Sequence, residues 1–146
     1  MGKLRAVETK TTVEKAVNAA CSMLEDIGNE FDEAVSAVEG TGLAESERYQ
    51  SWGEARDVLQ NVVEPDVPAC VLGLEVVYIE SPIPKSASGV ASRRIRRDDA
   101  VATLGMAKAA AEEFADTTED EAAKESATAF TGELDDIIDE VEGVDF

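Results

Sequence analysis

Residues Thr11–Gly40, TTVEKAVNAACSMLEDIGNEFDEAVSAVEG, decide the fold class. Val13, Val17, Ala20, Leu24, Ile27, Phe31, Ala34 and Val38 recur at alternating four- and three-residue intervals, which predicts a helix with one continuous apolar seam. Thr11 with Glu14 predicts a capping box at its start, and Gly40 predicts its end. About 26 helical residues span roughly 39 Å at ~1.5 Å per residue. A rod of that length with a single greasy stripe has to lie against other helices.

Before it, Met1–Lys10 shows no period and reads as a short arm, with a strand expected around Leu4–Val7. After it, Thr41–Ser46 reads as a turn. A second helix then runs to about Val62, burying Tyr49, Trp52, Ala55, Leu59 and Val62, with Trp52 read as core rather than as a ligand platform. Pro65 and Pro68 forbid its continuation. The segment Val71–Glu80, VLGLEVVYIE, is the one convincing strand signal, with Leu74, Val76, Tyr78 and Glu80 on one face and Glu75, Val77 and Ile79 on the other. A lone strand leaves backbone groups unsatisfied. It must therefore pair with the N-terminal arm, a second copy or another protein, which makes Leu74, Val76 and Tyr78 candidate partner-binding residues.

Ser92 predicts the N-cap of a third helix, whose seam of Ala100, Leu104, Ala107, Ala111 and Phe114 is mostly alanine. Small seam residues permit close approach, so this helix is expected to be central or pressed against the first. Asp116 and Thr117 mark a turn, and Thr118 with Glu121 predicts a further capping box. The last helix buries Ala123, Ala127, Phe130, Leu134, Ile137 and Val141, with Gly143 as its C′ residue and Val144 folding back on Ile138. The expected architecture is mainly α: a four-helix, two-hairpin bundle with one short strand-bearing linker. Within one domain over 1–146, the arm covers 1–10, the first helical hairpin 11–63, the linker 64–91 with its strand at 72–80, and the second hairpin 92–146. The seams hold few bulky residues for a chain of this length, so self-association is expected to add buried surface.

Charge is unevenly spread. The chain carries 32 acids and 13 bases, a formal −19, yet KSASGVASRRIRR at Lys85–Arg97 holds five positive charges and no acid, leaving −24 for the rest. A cationic first turn conflicts with the partial positive charge of a helix N-terminus. The residues leave two readings open: the guanidinium groups dock on acidic ends of neighbouring helices, or Lys85, Arg93, Arg94, Arg96 and Arg97 grip the carboxylates or phosphates of a partner. Extended direct binding to nucleic acid is disfavoured elsewhere by repulsion, so any such contact is confined to 85–97. The acidity itself admits three explanations: a solvated surface, adaptation to high salt, or mimicry of a nucleic-acid backbone. For mimicry the candidate face is on the last helix, where Glu133, Asp136 and Glu140 line one flank of the seam and Asp135, Asp139 and Glu142 the other.

Enzymatic function is not expected. Histidine is absent, which removes the usual neutral-pH acid/base and the common triads. No phosphate-binding glycine loop occurs, and the acidic run DTTEDE at Asp116–Glu121 lacks the ligand alternation of a calcium loop. Paired acids such as Glu112 and Glu113 read as solvated flanks, so no catalytic residue, metal or cofactor is assigned. Cys21 and Cys70 sit in apolar surroundings and read as buried free thiols of a reducing compartment. The N-terminus lacks the apolar core of a secretory signal, and no charge-free stretch approaches the ~20 residues a membrane helix needs.

The segments EPDVP (Glu64–Pro68), LEVVYIE (Leu74–Glu80) and SRRIRRDDAVATL (Ser92–Leu104) resemble, in order and spacing, small uncharacterised acidic helical proteins encoded by tailed phages. Ser92, Arg93, Arg96, Asp98, Ala100 and Leu104 match the helix opening of that group. The resemblance implies a viral origin, with a location in the host cytoplasm or the virion. It supplies no activity. The sequence therefore predicts an interaction or assembly protein that binds itself or another polypeptide, with a DNA-mimicking inhibitor of a host nucleic-acid enzyme or defence complex as the alternative.

Overall fold

The computed structural model describes residues 6–84, 86 and 89–144. It is mainly helical, with four helices and a two-stranded antiparallel sheet. In chain order these are strand β1 (Val7–Thr12), helix α1 (Val13–Ala37), helix α2 (Glu47–Gln60), strand β2 (Glu75–Glu80), helix α3 (Gly89–Thr117) and helix α4 (Glu121–Glu142). A single 3₁₀ turn at Gly42–Glu45 joins α1 to α2.

The strand β1 runs without a break into α1. Its register with β2 pairs Val7 with Glu80 through to Thr12 with Glu75. Thr11 is consumed in that ladder opposite Val76, so the N-cap falls one residue later than the capping-box pattern predicts: Thr12 Oγ1 accepts from Lys15 N–H at 3.4 Å. The next two donors are met by the linker, with Val13 N–H donating to the Leu74 carbonyl and Glu14 N–H to that of Leu72. The linker thus closes the helix start. Its own first part is turned rather than extended, because Val71 and Leu72 N–H both bond back to the Pro68 carbonyl. The strand accordingly begins at Glu75 and not at 72. The strand expected at Leu4–Val7 is found instead at Val7–Thr12; residues 1–5 lie outside the described part.

The seam of α1 is buried from Val13 to Phe31, while Ala34 near its end is only half-buried. Ala16, Cys21 and Gly28 are buried as well, which widens the stripe, because α1 packs against both α2 and α3. Gly28 marks the tightest point of the α1–α2 pair: a Cβ there would lie 3.1 Å from the Gln60 backbone nitrogen and from Leu59 Cβ. The chain then reverses at Gly40, whose φ of 81° favours glycine.

As its alanine seam predicts, α3 is central. It packs against α1 on one side, α4 on another, and β2 as well. Helix α1 packs against α2 and α3 against α4, while the outer helices α2 and α4 meet only narrowly. Two further helix starts depart from prediction. Helix α3 begins at Gly89, three residues before Ser92, and runs through Asp116 and Thr117, which the sequence reads as a turn. Helix α4 is capped by Asp120, whose carboxylate accepts from Ala122 and Ala123 N–H, while Thr118 Oγ1 accepts from Asp120 N–H. An aspartate placed two residues closer outcompetes the threonine. At the far end Gly143 caps in the right-handed region, φ −74°, not as a left-handed C′ residue, and Val144 is buried.

One continuous core joins Phe31, Leu24 and Ile27 of α1, Leu59 of α2, Leu104 of α3, and Phe130 and Leu134 of α4. Both thiols are free; Cys21 is buried and Cys70 half-buried, its Sγ 3.6 Å from the Ala123 carbonyl. Burial, helped by Glu64, pushes the Cys21 thiol up to about 11.

Candidate functional site

Because α3 starts at Gly89, the arginines occupy its second and third turns, beyond the reach of the unfavourable dipole. Residues three and four apart share a face, and Arg93, Arg96 and Arg97 turn inward. Arg96 clasps Glu30 of α1 with both guanidinium nitrogens, Nη2 to Oε1 at 2.7 Å and Nη1 to Oε2. Arg93 lies over the Phe31 ring at 4.8 Å and the Trp52 ring at 5.7 Å. Its Nε is 3.4 Å from Glu30 Oε1, an ionic contact without hydrogen-bond alignment. Trp52 in turn packs on Phe31 at 5.8 Å and edge-on to Tyr49 at 4.9 Å. Arg97 donates to the Val144 carbonyl at 2.9 Å, tying α3 to the end of α4.

The bidentate grip that the sequence offers to an outside carboxylate or phosphate is therefore taken by Glu30. Hydrogen bonds from Arg96 hold that carboxyl below its ordinary range, against the burial that would raise it. Arg94 is exposed, and Lys85 lies outside the described residues. Glu30 lies 66 residues before Arg96, so the pairing has no local signature; only the i, i+3 spacing of Arg93 and Arg96 hints that one acid serves both.

The strand face read as an open edge is also occupied. Val76 is buried, and Leu74 and Tyr78 are half-buried. On one side β2 pairs with β1; on the other, Ile79 N–H donates to Thr103 Oγ1 of α3 at 3.2 Å. Just beyond, Asp99 accepts from Ser81 N–H at 2.7 Å and Ser81 Oγ at 2.6 Å. In the small recess bounded by Tyr78, Ser81, Arg96 and Asp99, Ser81 and Asp99 are thus bonded to each other and Arg96 to Glu30. Among the described residues β1 has a strand neighbour on one side only. Ala6 through Lys10 are exposed, Val7 at 60%. Beside the start of β2 an open trough runs along α3, floored by Val77, Met106 and Ala110 and rimmed by Glu75 and Glu113.

On α4, Glu133, Asp136, Asp139 and Glu140 are exposed. Asp135 is not free: Lys108 of α3 donates to it at 2.7 Å, which interrupts one of the two rails of charge. Among the described residues no group of three or more carboxylates and cysteines converges as a metal site, and no helix is long and apolar enough to cross a membrane. No protein-family profile, curated protein sequence or solved structure matches the chain.

Proposed function

We propose that the chain is a non-enzymatic interaction or assembly protein of a tailed phage, working in the host cytoplasm or as a virion component, that lends a strand edge to another polypeptide. The observation that carries this reading is β1: an exposed strand with, among the described residues, β2 on one side only, so that its second edge presents backbone donors and acceptors to whatever approaches. The adjacent apolar trough, with Met106 at 40% exposure, offers side-chain pockets of the kind that accompany strand addition. The phage origin rests on the resemblance carried by Glu64–Pro68, Leu74–Glu80 and Ser92–Leu104.

The arginine turn is a weaker candidate for the contact surface than sequence suggests, since Arg93, Arg96 and Arg97 all have partners within the chain. The same holds for nucleic-acid contact through 85–97. The mimic reading loses support from the pairing of Asp135 with Lys108. Affinity capture of the tagged chain from infected cells, followed by mass spectrometry, tests the proposal. A stoichiometric protein partner that is lost when β1 is disrupted is the expected result; recovery of a host nucleic-acid enzyme insensitive to β1 and abolished by reversing Asp136, Asp139 and Glu140 favours the mimic instead.

A further inference from the structure

The outward edge of β1 has a definite parity. Ile79 N–H is given to Thr103, so it does not bond to Glu8 opposite it; Val13 N–H bonds to Leu74 in the same register. Hydrogen-bonded and non-hydrogen-bonded pairs alternate in an antiparallel ladder. Val7, Thr9 and Thr11 are therefore the residues bonded to β2, and Glu8 and Lys10 turn their N–H and C=O groups away from it. Any strand added to β1 must meet Glu8 and Lys10 with outward groups of its own.

We propose that this strand is β1 of a second copy of the chain, antiparallel across a two-fold axis through Thr9. This deepens the interaction reading above and rests on it. In that register Glu8 faces Lys10 of the second copy and Lys10 faces its Glu8, each a parity-matched hydrogen-bonded pair, while Thr9 faces Thr9. Opposite charges and threonine pairs directly across strands are favourable. An axis through Glu8 or Lys10 sets like charges against each other. An axis between residues opposes inward groups with outward ones, and an axis at Val7 or Thr11 gives up both ion pairs. The stretch Val7–Thr12 has one acid and one base, a neutral segment in a chain of formal charge −19, so here a second copy approaches with the least local repulsion. The product is a four-stranded sheet, with the two-fold symmetry most soluble dimers adopt.

Sedimentation of the full chain across a concentration series is expected to show a monomer–dimer equilibrium. Glu8→Lys and Lys10→Glu each oppose like charges twice across the axis and should weaken dimerisation by roughly tenfold or more. Mixed together, the two variants restore complementary pairs and should form a one-to-one heterodimer. Circular dichroism matching the wild type shows that neither change unfolds the chain. A wild-type chain that stays monomeric, single variants that dimerise undiminished, or a mixture that fails to associate overturns the proposal. A monomeric wild type that still captures a phage protein, with capture lost on Lys10→Pro, rejects the second copy while leaving the interaction reading standing; failure of both experiments removes both.

Discussion

The arginine turn of α3 and the strand β1 both carry groups in search of partners, and the chain treats them oppositely. The guanidinium groups of Arg93 and Arg96 find Glu30, Phe31 and Trp52 within the same molecule and are largely withdrawn from water, with 15% and 19% of their side chains exposed. The strand β1 lies among exposed residues with its second edge uncovered by the sheet. A compact charge can be neutralised by one well-placed acid and an aromatic face. A strand cannot be satisfied by one neighbour, since it offers hydrogen bonds on two sides. A dense run of charge in a sequence therefore does not by itself mark groups left without a partner in the fold.

The contrast breaks first at Phe31, the fully buried ring beneath Arg93. Phe31→Ala leaves a cavity and strips Arg93 and Trp52 of their support, with an expected loss of about 3–5 kcal/mol and a fall in melting midpoint on the order of 10 °C. A loss no larger than that of a surface substitution shows the turn is not docked. Glu30→Gln keeps the shape but removes the counter-charge of two arginines. Because the Glu30 side chain remains 36% exposed, water screens part of the effect, and the expected cost is about 1–2 kcal/mol. The sign with pH follows from the lowered pKa of Glu30. Its contribution is complete above the ordinary carboxylate value and disappears as pH falls through the lower value of the folded state. Denaturant curves of wild type and variant should thus lie apart at neutral pH and draw together as pH falls below the ordinary carboxylate value.

Much of the fold is legible in the seams, and the reasons it stops being legible are specific. The run from Val13 to Phe31 and that from Ala127 to Val141 alternate by threes and fours because each faces a continuous neighbour. The alanines of α3 announce a helix approached closely from several sides. Caps shift by one or two residues because threonines and aspartates compete locally: Thr11 is claimed by the ladder, and Thr118 yields to Asp120. The partner of the arginine turn was not legible, since Glu30 lies 66 residues from Arg96 and only the third dimension joins them. The edge was half legible. Sequence identifies that LEVVYIE needs a partner and names the N-terminal arm among three, but Thr103 and Asp99, which close the other side of β2, look like ordinary helix residues.

A smaller effect tests how tightly the helices that carry Glu30 and Trp52 are held together. Gly28→Ala raises helix propensity by up to ~1 kcal/mol, yet its Cβ meets backbone and Leu59 Cβ at 3.1 Å, atoms that cannot swing aside. A net loss of about 1 kcal/mol is expected after overpacking is set against propensity, whereas Gly132→Ala, with open space around it, should gain a few tenths to ~1 kcal/mol. Equal gains at both positions would mean that α1 and α2 are separated more widely than their contact at Gly28 requires.

The smallest change in stability is expected at Lys10 of β1, and it discriminates between the strand's two sides. The N–H of Thr9 faces β2, so Thr9→Pro deletes a ladder bond and should loosen the sheet. The N–H of Lys10 faces outward, and the ion pair with Glu75 that its side chain makes is exposed at 84% and 67%, worth about 0–1 kcal/mol. Lys10→Pro should therefore leave the melting midpoint within a few degrees of wild type while blocking any strand that would add to the edge. If Lys10→Pro unfolds the protein as readily as Thr9→Pro, both sides of β1 are already committed within the chain, and the difference between the docked turn and the open strand vanishes.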